Sequence, residues 1–375
     1  MSKTKTPLMC RPNFPVEHSK MGRWFPVPTA ASLPGAGVDI SDSSVKWLTL
    51  KPITRGWAVA TYGNKGLPEG VVVEGIVRDP KALGSVLAEV KMSDKRVSRA
   101  HAALPEEAAY VFSIQVPDVW EREHVLNIVE FELEGRVPLR AKQAVYDYDI
   151  VAVHPDGKGA EIGVTVFPAD VVNGYVEAFA HSGIELLSLE LEARSIARAV
   201  VPADSMDVSL LADFGRARTG IAIIKRQVPI FTSTVSVGGD TLTNIIVREL
   251  SITPEKAEDF KNEHGILESD HKKLSEVIMA TAVSLSDEVV RHYQYWDTKR
   301  DERENRVTPV ARVVLAGGSA NLKGLSEYIA GRVQAPTTIA RVWENVCFFD
   351  DYIPPIEMHH SLGLATAIGL AMRSI

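Results

Sequence analysis

Three turns in this sequence carry residue types suited to holding a phosphate. Asp213 and Gly215 follow the apolar run of strand Val208–Phe214. Gly238, Gly239 and Asp240 come after two β-branched runs, Thr219–Lys225 and Val228–Val235. They open an amphipathic segment with Leu242, Ile245, Ile246 and Leu250 on one face. Gly317 and Gly318 end a third apolar run and lead into Ser319, Ala320 and Asn321. A turn at the carboxyl end of a buried strand offers bare backbone N–H groups to an anion, and glycine lets that anion approach. The segment at 37–51, GVDISDSSVKWLTLK, repeats the opening pattern with Asp39 in place of Asp213. A single Asp before a tight turn is an ordinary hairpin. The same hairpin twice points to a duplicated fold whose halves face one another.

The elements that must position these turns alternate between strand and helix patterns, an α/β class. After the first hairpin the sequence predicts strands at 57–62, 71–77 and 97–104, with a helix between the last two. Asp79 caps that helix and Pro80 fits its first position. Leu83, Val86, Leu87 and Val90 give it a core face. An insertion is expected at 106–188, with strands at 112–116, 146–154 and 161–167 and helices at 122–134 and 170–180. A single helix is expected at 189–200, bridging back to the core. Thr253 and Pro254 start a further helix stopped by Gly265, a long helix covers 272–296, and a charged loop covers 299–306. A helix at 360–372, with Gly363, Ala365, Ala367 and Gly369, suits close packing on a sheet.

Composition narrows the function. The chain has 375 residues, 45% hydrophobic and 24% charged, with a net charge of −7. That describes a soluble protein of two or three domains and argues against bulk nucleic-acid binding. Cys10 and Cys347 are too few and too far apart for a disulfide framework or a zinc site. No run approaches the ~18 apolar residues of a membrane span, and the N-terminus lacks a signal-peptide core. A reducing cytoplasm is the expected location. Residues 1–32 carry five prolines and scattered Lys and Arg and read as a disordered basic tail. Trp24 and Phe25 are candidate membrane anchors, although the basic residues are too sparse for a polybasic patch. The acidic run at Glu121, Glu123, Glu130, Glu132 and Glu134 reads as a solvated helix face. His154 and His181 are assigned no chemistry.

Five motifs in order, GVDISDSSVKWLTL, ADFGRART, GGDTLT, AEDFKNEHG and VVLAGGSANLKGLSEYI, followed by LGLATAIGLAMR, carry a resemblance. The chain resembles the PilM family of type IV pilus assembly proteins and is more distantly similar to the cell-division protein FtsA. This implies an actin-like ATPase fold of two duplicated RNase H-like lobes with an inserted 1C-type subdomain. The implied layout is tail 1–32; lobe 1 at 33–105; the insertion at 106–188; and a bridging helix at 189–205. Lobe 2 follows, with core at 206–250, a helical subdomain at 251–308 and core again at 309–350, before a return to lobe 1 at 351–375.

The resemblance also implies Mg-ATP between the lobes. Asp39 and Asp213 would hold Mg²⁺ through water, as a hard cation prefers carboxylate oxygens. Ser41, Asp42, Ser43, Ser44 and Lys46 form the first phosphate loop; Gly215, Arg216 and Thr219 the second, with Gly238 and Gly239 as its floor. Glu258 and Lys261 would reach the ribose or adenine, and Gly317, Gly318 and Ser319 would admit the nucleoside. The chain departs from the family pattern at Ser41 and Asp42, and at Arg216 and Arg218. One of these arginines is expected to bridge Asp42. Glu190 and Glu192 are the candidates for positioning a catalytic water, and nucleotide binding is better supported than rapid hydrolysis. The implied partner is the N-terminal peptide of a PilN-like inner-membrane protein, held at the insertion. Other machine components, peripheral membrane association through the partner, and self-association are further expectations. A filament protein of the FtsA kind and a small-molecule kinase are the rival readings.

Overall fold

The computed structural model describes residues 34–117, 121–154, 159–266, 272–300 and 306–374. The expected tail at 1–32 and most of the charged loop at 299–306 lie outside them. The chain divides into two compact units. Lobe 1 runs to Ser195 and adds Val346–Pro354 and the segment from Thr366 onward; lobe 2 comprises Ile196–Asn345 and Pro355–Ala365.

Lobe 1 opens with β1 (Ala36–Ile40), β2 (Ser44–Pro52) and β3 (Trp57–Gly66). Two short strands, β4 (Val72–Val73) and β5 (Ile76–Val77), form a small hairpin. One continuous strand was expected at 71–77, but Glu74 and Gly75 turn the chain there with φ of 53° and 71°. Helix α1 (Pro80–Ser93) follows, its first turn capped by Asp79, which accepts from the Lys81 and Ala82 N–H groups at 3.0 and 2.9 Å. Then come β6 (Arg99–Leu104) and β7 (Tyr110–Val116), α2 (Arg122–Arg136), β8 (Ala144–Val153) and β9 (Ala160–Pro168). They lead to α3 (Ala169–Ser182), β10 (Glu185–Leu191) and α4 (Glu192–Val200).

The lobe 1 sheet has the order β3-β2-β1-β6-β10. The first three strands are antiparallel, and β6 and β10 run parallel to β1. The sheet of the insertion is separate, ordered β7-β9-β8, and α2 buries Val125, Val129 and Leu133 against Ile114, Tyr148 and Ile162 of those strands. This independent core ends at Pro168. Helix α3 lies inside the expected 106–188 insertion but packs on α1, so closely that a Cβ on Gly84 would come 2.9 Å from the Ala178 carbonyl oxygen.

The single helix expected at 189–200 is instead strand β10 followed by α4. The segment ELLSLEL favours a helix on local preference. In the structure it pairs with β6 along its length, from Glu185 opposite Arg99 to Leu191 opposite Leu104, and tertiary pairing overrides propensity.

Lobe 2 repeats the architecture. Strands β11 (Val208–Phe214), β12 (Thr219–Lys225) and β13 (Val228–Val235) form antiparallel hairpins. Helices α5 (Gly239–Leu250), α6 (Pro254–His264) and α7 (Lys272–Thr298) precede β14 (Val310–Ala316), α8 (Leu325–Val333) and β15 (Thr337–Ile339). The order β13-β12-β11-β14-β15, with β14 and β15 parallel to β11, matches lobe 1 strand for strand. Strand β11 is buried along nearly its whole length, as a central strand covered on both faces must be.

The expected helix at 360–372 is two pieces, α9 (Met358–Leu362) and α10 (Ala365–Ala371), broken at Gly363. The small residues do bring α10 onto the lobe 1 sheet: a Cβ on Gly37 would sit 1.9 Å from the Ala367 carbonyl oxygen.

Candidate functional site

In lobe 2 the three glycine turns meet around the end of β11. The Gly215 N–H donates to the Asp213 carbonyl at 3.1 Å and so tightens the first turn. The start of α5 sits directly on that turn, with the Gly239 N–H on the Gly215 carbonyl at 3.0 Å and the Asp240 N–H on the Arg216 carbonyl at 2.8 Å. Any side chain at Gly238 would come 2.3 Å from the Arg216 carbonyl oxygen. At Gly239 a Cβ would lie 2.1 Å from Ser319 Oγ and 3.3 Å from Lys261 Nζ. Gly317 adopts φ of 81°, and a Cβ there would meet Asp213 Oδ1 at 2.5 Å. Its neighbour Gly318 has open space where a side chain would be. Thr219 is buried, its hydroxyl donating to the Val237 carbonyl at 2.7 Å. The sequence's separate glycine signals therefore form one backbone cradle around one carboxylate.

Glu258 and Lys261 flank this cradle on α6. Lys261 Nζ is 2.6 Å from Glu258 Oε2 and donates to Thr243 Oγ1 at 3.3 Å, while the Thr243 hydroxyl donates to Glu258 Oε1 at 2.5 Å. The lysine side chain is only 4% exposed, against 42% for the glutamate. A desolvated ammonium next to Gly239 gives the cradle a positive wall. Thr243, the hinge of the triad, was not singled out from the sequence; it lies one helical turn beyond Gly239, whose carbonyl, 3.0 Å away, is the alternative acceptor for its one hydroxyl proton. Arg216 pairs with Asp240 at 3.1 Å, with side chains 71% and 37% exposed, so that pair adds little stability.

In lobe 1 the matching hairpin places Asp39 directly opposite Lys46. Burial pushes the Asp39 carboxyl above its ordinary pKa, and Lys46 pulls part of the way back. The Ser41 hydroxyl closes its own turn, accepting from the Ser44 N–H at 3.2 Å, while the Ser41 N–H donates to the Ser44 carbonyl at 2.9 Å. Ser43 is exposed at the tip. Asp42 reaches the β4–β5 turn, where its carboxylate accepts from the Glu74 and Gly75 N–H groups at 3.1 and 2.8 Å. Asp42 and Arg216 thus each have partners within their own lobe. Buried Tyr175, which donates to the Gly75 carbonyl at 2.7 Å, has its phenol pushed well above its usual value. Burial is the main cause, and the carboxylates of Glu192, Asp39, Glu107 and Asp42 add to it. Asp39 in this hairpin and Asp213 in the lobe 2 cradle each carry the carboxylate oxygens that a hard divalent cation prefers, so in donor type these residues fit Mg²⁺.

Glu190 stands at a different point from that expected. It lies in β10, its side chain fully buried and ion-paired with Arg373 near the C-terminus. Glu192 is the first residue of α4 and is half-buried.

A second concavity opens within lobe 1, between the inserted sheet and the β10–α4 junction. Asp147, Asp149, Thr165, Leu189, Glu190 and Arg194 line a shallow, narrow cleft whose cavity volume is about 10 Å³. Arg194 Nε is 3.1 Å from Asp149 Oδ2, and Arg122 Nη2 is 2.7 Å from Asp147 Oδ1. The Arg122 guanidinium lies over the Tyr148 ring, 5.4 Å from its centroid. Strand alternation in YDYDI puts Asp147 and Asp149 on one face, a signal present in the sequence but not read as a site.

Two lobes of identical strand order, an aspartate ending the same strand of each, and a glycine cradle around one of them define an actin-like ATPase fold. Solved structures agree. The ethanolamine utilization protein EutJ from Carboxydothermus hydrogenoformans aligns with a TM-score of 0.51 at 18% identity, over 90% of this chain and 89% of its own. MreB5 of Spiroplasma citri bound to ADP also gives 0.51, at 14% identity, over 90% of this chain and 95% of its own. The chain belongs to the PilM family of type IV pilus assembly proteins, whose family model matches residues 37–375. A PilM–PilN type IV pilus biogenesis complex aligns with a TM-score of 0.73 at 20% identity, covering 92% of this chain and 99% of its own. Among the described residues no helix is long and apolar enough to cross a membrane.

Proposed function

We propose that this chain is a nucleotide-binding scaffold of a type IV pilus assembly machine. It would bind Mg-ATP at the glycine turns of lobe 2, and hold a membrane-anchored partner at the inserted subdomain. The observation that carries the nucleotide half is the cradle of Gly215, Gly239 and Gly317 beside buried Lys261. Glycine at each position keeps the backbone bare, and Lys261 supplies the positive charge that anionic phosphate or a ribose hydroxyl would meet. Asp213, at the end of β11 within the cradle, would hold the metal's hydration shell, with Asp39 the matching carboxylate of the lobe 1 hairpin, and Mg²⁺ would neutralise phosphate charge when bound. The residues orient and clamp the nucleotide, so its role is that of a ligand favouring one conformation. The MreB5 structure bound to ADP supports the class of ligand.

The partner half rests on the concavity around Asp149 and Arg194. A peptide laid against it would meet the charged side chains of Asp149 and Arg194. The PilM–PilN complex supports a PilN-type protein as the partner; its N-terminal peptide is the segment we propose for the inserted subdomain. The same reading proposes a cytoplasmic protein held at the inner membrane through its partner.

Titration of a fluorescent ATP analogue with and without Mg²⁺ tests the first half. Saturable, Mg-dependent binding that weakens in Lys261→Met supports it, whereas no binding at millimolar nucleotide removes it. For the second half, an immobilised PilN-type N-terminal peptide should capture the wild type but not Arg194→Glu. Equal capture of both would remove the concavity from the interface.

A further inference from the structure

Beside the Gly317–Ser319 turn, the structure brings together Glu357, His359 and His360. They are exposed side chains at the start of α9, each offering one ligand atom, and those atoms all lie within 4.8 Å of one another. His359 Nδ1 is 3.5 Å from Glu357 Oε2, and His360 Nδ1 is 3.9 Å from the same oxygen. The imidazole centroids are 3.9 Å apart. We propose that these three residues form a binding site for a borderline divalent transition-metal ion, with Zn²⁺ the type case.

The dimensions decide in favour of a small ion. Bonds of about 2.0–2.2 Å at tetrahedral angles put neighbouring ligand atoms about 3.4 Å apart. Two nitrogens and one carboxylate oxygen need only side-chain rotation of a few tenths of an ångström to a little over one ångström to reach that spacing. The donor set excludes Ca²⁺, which takes six to eight oxygens, and disfavours Mg²⁺, which keeps its water and prefers carboxylates. Two imidazoles and a carboxylate suit Zn²⁺, Co²⁺ or Ni²⁺, with water in the fourth position.

The backbone beneath these ligands is already fixed, which lowers the ordering cost of binding. Fully buried Ser361 accepts from Trp343 Nε1 at 2.9 Å and donates to the Glu357 carbonyl at 3.0 Å. The carbonyl of His359 accepts from Asn321 Nδ2 at 2.9 Å. The same amide donates to the Gly318 carbonyl at 3.1 Å. The metal site thus shares its scaffold with the Gly317–Ser319 turn.

Direct metal binding tests the proposal. The full chain is titrated with Zn²⁺ against a chromophoric chelator, and with Co²⁺ by visible absorption. The same is done for the double variant His359→Ala/His360→Ala and for Glu357→Gln. The wild type should bind one more Zn²⁺ than the double variant and give tetrahedral Co²⁺ bands that the double variant lacks. Affinity in Glu357→Gln should fall about tenfold or more. Excess Mg²⁺ should not displace the ion. Unchanged melting temperatures in metal-free buffer show that the variants fold. Equal Zn²⁺ stoichiometry and affinity in wild type and double variant, or displacement by Mg²⁺, would overturn the site.

Discussion

The Asp42 carboxylate holds the Gly75 N–H at 2.8 Å, so the residue that breaks the family pattern in the first hairpin is also the clamp of the β4–β5 turn. Gly75 has no alternative at this point: φ is 71°, and a Cβ would come 2.3 Å from Pro105 Cβ. The carboxylate therefore has structural partners within lobe 1. Asp42→Ala should cost about 1–3 kcal/mol, the range for losing an acceptor of buried or charge-assisted hydrogen bonds. Chemical denaturation measures this. Combined with Arg216→Ala, the coupling energy should stay within about 0.5 kcal/mol, as for independent sites. Larger coupling would restore the bridge.

Asp39 makes a pH prediction with a definite sign. Its folded pKa lies above the ordinary value of 3.8, so the folded chain holds this proton more tightly than the unfolded chain. Between those two pKa values stability falls as pH rises, and at neutral pH the ionised group is a net penalty. Asp39→Asn should raise the melting temperature at pH 7 without divalent ions by about 2 °C or more, the order expected from ~1 kcal/mol. The advantage should shrink on acidification through the same window. Saturating Mg-ATP should stabilise the wild type more than the variant. A variant less stable than wild type at pH 7 in metal-free buffer would contradict the account.

Gly239 and Ser319 should behave as a pair. Gly239→Ala forces a methyl to within 2.1 Å of the Ser319 hydroxyl and should destabilise lobe 2 by roughly 1–3 kcal/mol, the usual cost of overpacking. Removing the hydroxyl in Gly239→Ala/Ser319→Ala should recover most of that loss. Additive effects in the double variant would show that the two turns do not meet as described.

Glu190 offers a choice between structure and catalysis. Its buried pairing with Arg373 predicts that Glu190→Gln lowers stability by about 3 kcal/mol, the scale for breaking a buried ion pair. If the residue instead positions a water, the same change would suppress ATP turnover and leave the melting curve unmoved. Thermal denaturation and a phosphate-release assay on one preparation separate these outcomes.

The duplicated fold was legible because its hairpins are local: an apolar strand, one aspartate, a small polar turn and a second strand are contiguous in each lobe. Helix α1 was legible for a similar reason, since Asp79 and Pro80 mark its start beside four periodic apolar residues. Strand β10 was not, because Leu and Glu suit a helix and only pairing with distant β6 makes the segment a strand. Convergence of the glycine turns could be suspected from their types, but the Ser319–Gly239 approach depends on residues 80 positions apart in sequence. The Thr243 hinge and the Arg194–Asp149 contact share that limit: neither residue has a distinctive neighbour to mark it.

Identical strand order has a consequence for how the two lobes acquired different ligands. The connection from β6 to β10 corresponds topologically to the one from β14 to β15. In the second lobe that connection is short and supplies Gly317, Gly318 and Ser319. In the first it has grown to accommodate the whole β7-β9-β8 sheet with α2. The same crossover that carries the Gly317–Ser319 turn in one half is the point of enlargement in the other. Recognition of a small molecule and of a peptide can then diverge by lengthening one link, with the paired sheets left unaltered.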